Sequence, residues 1–301
     1  MQLRNSALSG PDASPGGQQG LAPFEHAFRR HRRERRLATA VGVVLFLLAL
    51  AASVVVGRFD PVVLAEGWPK LGEYVWRTVP QLGWATLGRD LASWYYGLPK
   101  WLDLMLETVL IAYLATLLGT IGALALAPLA SRNLALGPTS AFLSRRILEF
   151  CRTIPDLVFA LIFVFAFGLG PLPGVLAIAI HSLGANGKLF TDANENIDMK
   201  QCEGLQAAGA TWLETLRYAV LPQVLPNYLS YVLWRFEINV RTAAVLGFVG
   251  AGGIGTELIT AVRSLYYEDI SALVILIVVT VSIIDMICGR LRHRLIGKEA
   301  T

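Results

Sequence analysis

Charge is scarce in this chain of 301 residues: only 16% are Asp, Glu, Lys or Arg, against 54% that are hydrophobic. Soluble domains carry about 25% charged residues, so an ordinary soluble enzyme and a disordered chain are both excluded. Cysteine is sparse too. Cys151, Cys202 and Cys288 stand far apart without a C-x-x-C spacing, which excludes a disulfide framework and a thiolate metal site. There are four histidines, and only His181 sits in an apolar run, where a buried, hydrogen-bonded ring is expected rather than a metal ligand or proton relay. A membrane-embedded enzyme would need converging nucleophile, base or metal ligands, and that set is missing. The phosphate-binding pattern G-x-x-x-x-G-K-[ST] is also missing: Leu follows Gly187-Lys188 and Glu follows Gly297-Lys298. ATP is therefore not bound here by such a loop.

The hydrophobic residues are bunched. No charge interrupts residues 37–57, 108–131, 157–180 or 270–284. A helix of about 20 apolar residues crosses the hydrocarbon core of a bilayer, so the expected fold class is an all-α membrane protein. The net charge of +4 is carried by basic clusters beside these runs, at 29–36 and 290–294. Such flanks mark cytoplasmic ends of membrane segments and not a nucleic-acid surface. The first run resembles a signal peptide, down to Ala49-x-Ala51. However, a 36-residue polar stretch precedes it and it continues through Val54-Val55-Val56, so it reads as an uncleaved span.

The expected organisation begins with a disordered basic cytoplasmic tail, 1–36, whose first 28 residues are rich in Gly, Pro, Ser and Gln. Residues 37–103 hold the first span and an outer, interfacial segment marked by Trp68, Trp76, Trp84, Trp94, Tyr95, Tyr96 and Trp101, since aromatic rings favour the membrane interface. A core domain follows over 104–290, then a basic cytoplasmic tail, 291–301. The second span is near 104–128, followed by an inner loop with Arg132, Arg145, Arg146 and Arg152. Two basic termini require an even number of crossings. The run 157–180 is therefore split at Gly168-Leu-Gly170-Pro171-Leu-Pro173-Gly174 into spans near 153–169 and 173–189, because Gly and Pro favour a turn. Residues 190–223 form a long cytoplasmic loop, and spans five and six lie near 225–249 and 270–289. Six transmembrane helices with both termini cytoplasmic result. No internal repeat is present.

The loop reads Glu203-Gly-Leu-Gln-Ala-Ala-Gly209-Ala-Thr-Trp-Leu-Glu-Thr-Leu-Arg-Tyr-Ala219-Val-Leu221-Pro222. A short helix over 199–208 places Leu205 and Ala208 on one face, Gly209 permits a tight turn, and a second helix carries Trp212, Leu216 and Ala219 before ending ahead of Leu221-Pro222. Such a helix pair suits a groove on a cytosolic partner; a plain amphipathic surface helix is the alternative. The stretch resembles the EAA signature of ABC importer permeases, with Glu203, Gly209, Leu221 and Pro222 in register and Gly204, Leu205 and Ala219 departing from it. Further stretches are similar to the phosphonate-type permeases: 152–157, 168–176, 235–241 and 249–255, within a resemblance covering roughly 105–290. The resemblance implies a type I ABC importer permease in a bacterial inner membrane, with 199–223 as the coupling loop seated on a partner ATPase. It also implies a periplasmic substrate-binding protein, a second permease copy as homodimer, and ATP and Mg bound by the ATPase rather than by this chain. The implied cargo is a phosphonate, phosphite or a related oxyanion.

Arg235, Glu237 and Arg241 lie inside the fifth span, where an Arg costs about 2.5–3.5 kcal/mol on insertion scales. Glu237 and Arg241 are four apart and share a face; Arg235 points elsewhere. Two readings stand: a structural Glu237–Arg241 pair with Arg235 bonded to another helix, or a basic lining for an anion path. Asp156 and Asn186 cap helices or face the pore. Gly250-Ala-Gly252-Gly253-Ile-Gly255 fits the dinucleotide pattern G-x-G-x-x-G, but a membrane helix and not a strand precedes it. A flexible, close-packed break is expected there, which the resemblance turns into a periplasm-side turn or gate. A stand-alone secondary transporter using the three span-five charges is the rival from another class.

Overall fold

The computed structural model describes residues 16–296, apart from 81, 82 and 84. Residues 1–15 and 297–301 of the expected tails, and Trp84, lie outside the described residues. The chain divides into two units, one through Gly72 and one from Glu73.

The first unit holds α1 (Gly16–Val56) and most of α2 (Pro61–Thr78). The tail expected to be disordered is thus helical from Gly16 onward. Helix propagation is cheap once a nucleus exists, and neither Gly nor Pro interrupts residues 24–41.

The second unit is built on α4 (Leu98–Ala130) and α7 (Pro171–Glu195), preceded by the short α3 (Leu87–Trp94). These two helices share the most extensive packing in the structure and run parallel. Gly174 lies beside Ile111 at one end, and Asn194 meets Ser131 at the other. Small residues allow this approach, as is usual between membrane helices. A Cβ on Gly119 would come within 2.7 Å of Ala179 O. α5 (Pro138–Thr153) packs as closely: a Cβ on Gly184 would fall 2.6 Å from Leu148 O and from Arg152 N.

α5 corrects the expectation of a loop before residue 153. Ser144, Leu148 and Cys151 form its buried stripe, while Arg145, Arg146 and Arg152 lie off it and hide the pattern from a search for apolar runs. α6 (Asp156–Phe167) follows across an 85° bend at Ile154-Pro155. The expected turn between spans three and four is present: α6 stops at Gly168, and Pro171 opens α7, its ring suited to a helix start. α7 runs on to Glu195, into what was expected to be loop.

After the short α8 (Met199–Ala207) and α9 (Trp212–Thr215), a π turn over Leu216–Val220 leads directly into α10 (Leu221–Leu246). The helix expected to stop before Leu221-Pro222 instead continues. Leu221 N–H donates to Leu216 O, five residues back, and the widened turn accommodates the ring and missing N–H of Pro222. A 3-10 turn (Gly247–Val249) and a glycine turn then lead to α11 (Ile254–Arg263), bent 46° from the preceding helix, and to α12 (Tyr267–Ile296).

Among the described residues, α1, α4 and α12 contain stretches long and apolar enough to cross a membrane. Counting each bent pair, α5–α6 and α9–α11, as one crossing brings the number to five. α7, needed for the expected six, is long enough to span but carries Lys188, Asp192 and Glu195.

Candidate functional site

The α8–α9 hairpin is assembled from cap chemistry. Asp198 accepts from Lys200 N at 3.1 Å and opens α8. Gly209 closes it with φ +91°, Ala210 N–H bonding Leu205 O and Gly209 N–H bonding Gln206 O, both at 3.0 Å. That pair of bonds is a Schellman closure. A Cβ at Gly209 would meet nothing within 4 Å, so glycine is required there for its backbone conformation and not for space. Thr211 then starts α9 through a reciprocal capping box. Its N–H and hydroxyl both donate to Glu214 Oε2 at 2.7 Å, and Glu214 N–H donates back to the hydroxyl oxygen at 3.4 Å. The Thr211 hydroxyl and then its N–H hold the Glu214 carboxyl below the usual range.

Three contacts fasten the hairpin to the bundle. Trp212 Nε1 donates to Leu134 O at 2.8 Å, Gln223 Oε1 accepts from Asp198 N at 2.9 Å, and Gln223 Nε2 donates to Asp198 O at 3.4 Å. Cys202 is buried beneath, and burial first, then the charges of Asp198 and Glu203, push its thiol up. Glu203, Ala208, Gly209 and Leu213 face outward, Leu213 at 69% exposure, while Trp212 is half-buried. Leu221 and Pro222 are also exposed. The predicted coupling residues therefore divide into an outward surface and the Trp212 anchor that fixes it.

Inside the bundle a polar seam joins α4, α7 and α10. Asn239 Nδ2 donates to Thr116 Oγ1 and to Ser182 Oγ, each at 2.8 Å, and Arg235 Nε donates to Ser182 Oγ at 3.2 Å. Asn186, which the sequence placed as a cap or pore residue, is buried and donates to Thr120 Oγ1 at 3.1 Å. Lower in the seam, Tyr228 OH donates to Asn194 Oδ1 at 2.6 Å, and Asn194 Nδ2 donates to Ser131 Oγ at 3.2 Å. Sequence reasoning missed Asn194, Tyr228 and Asn239. The available signal was polar residues four apart within apolar spans: Ser182 with Asn186, and Arg235 with Asn239. His181 is half-buried with Nδ1 3.2 Å from Ile154 O.

The three span-five charges do not form one site. Glu237 accepts from Arg241 at 3.1 Å and from Arg292 of α12 at 2.9 Å. Arg241 also lies 3.5 Å from Asp285 of α12. Two acids and two bases thus bind α10 to α12. Arg235, on another face, is 7% exposed and bonds to α7.

The glycine turn is tightly held. Gly250 O accepts from Gly170 N at 2.9 Å, Gly253 N donates to Glu107 Oε1 at 3.2 Å, and Ile254 N donates to Thr108 Oγ1 at 2.8 Å. Gly250, Gly252 and Gly253 all have positive φ, and a Cβ on Gly255 would overlap Ala244 O. The turn's main chain is thus tied to the α6–α7 turn and to two side chains of α4.

Comparison with known proteins bears on this architecture. Residues 119–296 match the family model of binding-protein-dependent transport system inner membrane components. A phosphite transport system permease protein of Stutzerimonas stutzeri is 35% identical over 250 residues, covering 83% of this chain and 86% of that one. A phosphate-import permease protein of Mycolicibacterium smegmatis is 42% identical over 193 residues, 64% of this chain and 36% of the relative. Among solved structures, an inward-facing methionine ABC transporter covers 65% of this chain and 95% of its own at TM-score 0.56 and 18% identity. A bacterial alginate ABC importer covers 86% and 99% at TM-score 0.56 and 15% identity. At such identities the likeness concerns fold alone. The family match spans every helix from the middle of α4 to the end of α12, so the chain belongs to the binding-protein-dependent transport system inner membrane components, the permease subunits of ABC importers.

Proposed function

We propose that this permease carries a phosphorus oxyanion, a phosphonate, phosphite or phosphate, into the cytoplasm. The observation that carries the reading is the 35% identity with a phosphite permease along 86% of that relative's length. Two copies related by a twofold axis form the path, because one chain offers one coupling hairpin and two-fold dimers are the commonest closed assembly. Both termini face the cytoplasm, as their basic clusters favour. ATPase subunits, which bind the ATP and Mg, dock on the outward face around Glu203, Ala208, Gly209 and Leu213. A periplasmic binding protein delivers the cargo at the opposite end.

The hairpin suits force transmission. α9, the π turn and α10 are continuous, and Trp212 fastens α9 to the loop after α4. A displacement of the hairpin by closing ATPases is thereby passed into α10 and α4 as a rigid-body change. The test is reconstitution of the permease with its ATPase and binding protein in proteoliposomes. ATP-dependent uptake of phosphonate, phosphite or phosphate supports the reading. Uptake by the lone chain without ATP would instead identify a secondary transporter.

A further inference from the structure

Arg235 does not stand alone on its face of the bundle. A cleft of about 480 Å³ is lined by Arg152 and Thr153 from the end of α5, Ala185, Lys188 and Leu189 from α7, and Trp234 and Arg235 from α10. Three cations from three helices therefore share one opening. Lys188 is bonded to Asp192 one turn along α7. Among the described residues, neither Arg152 nor Arg235 makes an ion pair. Asp156, at the start of α6, acts on Arg235 only through space. Arg235 spends one donor, Nε, on Ser182, and its remaining guanidinium donors have no other partner among the described residues.

A cationic cleft on a membrane helix bundle does not face hydrocarbon without a counter-charge, given the cost of each bare cation there. It faces water or an anion. We propose that the Arg152–Lys188–Arg235 cleft is a binding station for a phosphorus oxyanion on the translocation path. This proposal rests on the substrate class argued above and adds the site. Phosphate-like groups carry about −1.5 to −2 charges at pH 7, a match for the two unpaired arginines. Guanidinium forks bind such oxygens through paired N–H donors. Trp234 forms one wall of the cleft, and α7 brings Lys188 to the mouth. The Glu237–Arg241 cluster is excluded from this role, because its two bases are matched by two acids, whereas in the cleft only Lys188 has an acid of its own and the two arginines stay in excess.

The same chemistry is found in an anionic lipid headgroup, so the test separates the two sources. The complete complex with ATPase and binding protein is reconstituted in vesicles of phosphatidylcholine alone and in vesicles with added phosphatidylglycerol, and phosphite uptake per ATP hydrolysed is measured. In both membranes Arg152→Gln combined with Lys188→Gln should lower that ratio at least tenfold. Arg152→Lys alone should retain at least half of it, and the exposed Lys70→Gln should match wild type. A double variant within twofold of wild type overturns the proposal. A loss confined to vesicles with phosphatidylglycerol also overturns it and assigns the cleft to a lipid. Should the wild-type complex carry none of the three oxyanions, the substrate reading itself fails, and the station fails with it.

Discussion

The two faces of α10 treat charge in opposite ways. Toward α12, Glu237 is 12% exposed at its side chain and receives Arg241 and Arg292, while Asp285 lies against Arg241 as a second acid. Toward α7, Arg235 is buried and hydrogen-bonds only the neutral hydroxyl of Ser182, with Asp156 acting on it through space alone. One face holds the bundle together and the other keeps a cation in reserve. The contrast shows that charge inside a span does not identify a pathway by itself; the distinguishing feature is whether the protein neutralises it.

The largest effect should come from the paired face. Glu237→Gln leaves the half-buried Arg292 without its acid, and a hydrogen bond to a charged group is worth about 1.5–3 kcal/mol. Thermal unfolding in detergent should show a clear loss of stability, and a shift of less than a degree would mean that the network is only superficial. The unpaired face should respond differently. Arg235→Met removes a poorly compensated charge and one hydrogen bond, so stability should change by no more than about 1 kcal/mol, even as transport falls. If Arg235→Met unfolds the protein as readily as Glu237→Gln, the two faces are equivalent and the comparison fails.

Between these lies Asn239. Asn239→Leu strips the shared donor from Thr116 and Ser182, for an expected cost of about 1–3 kcal/mol. A double-mutant cycle with Ser182→Ala should show coupling; strict additivity would place the seam outside the stabilising structure.

The hairpin at the amino end of the same helix sharpens the comparison, because it should be independent of both faces. Gly209→Ala forces a side chain into left-handed backbone at about 1–2 kcal/mol. It should reduce ATPase-coupled transport while leaving bundle unfolding nearly unchanged. Smallest is the cap. Thr211→Ala should cost about 1 kcal/mol locally, read as faster amide exchange in α9. Because the Glu214 carboxyl titrates below its ordinary range, the wild-type cap contributes fully above the unfolded carboxylate pKa. It is lost as pH falls through the depressed folded value. Amide exchange at α9 that is flat across that acid window would show that the box adds nothing.

Several of these features were legible before any coordinates. The break at Gly168–Gly170 was visible because glycine and proline act locally. So was the hairpin, since Gly209 as a turn between two short helices depends on neighbours within five residues; the Thr211–Glu214 capping box that starts the second helix was not read. The helical α5 was hidden, because Arg145, Arg146 and Arg152 fall outside its buried stripe. The continuity through Leu221-Pro222 was hidden as well: a proline reads as a stop unless the preceding turn widens to a π turn. Spacing alone separated Arg235 from the Glu237–Arg241 pair, but could not supply their partners.

Composition and local pattern thus determined that this is a helical membrane protein with a helix–glycine–helix hairpin, because hydrophobic run length and a glycine turn are short-range properties. Only the tertiary structure decided which charges are neutralised and which remain available. Arg292 and Asp285 lie 55 and 44 positions beyond Glu237 and Arg241, and Arg152 lies 83 before Arg235. Pairing across such distances is set by which helix faces pack together, and that depends on the small residues that let α4, α5 and α7 approach.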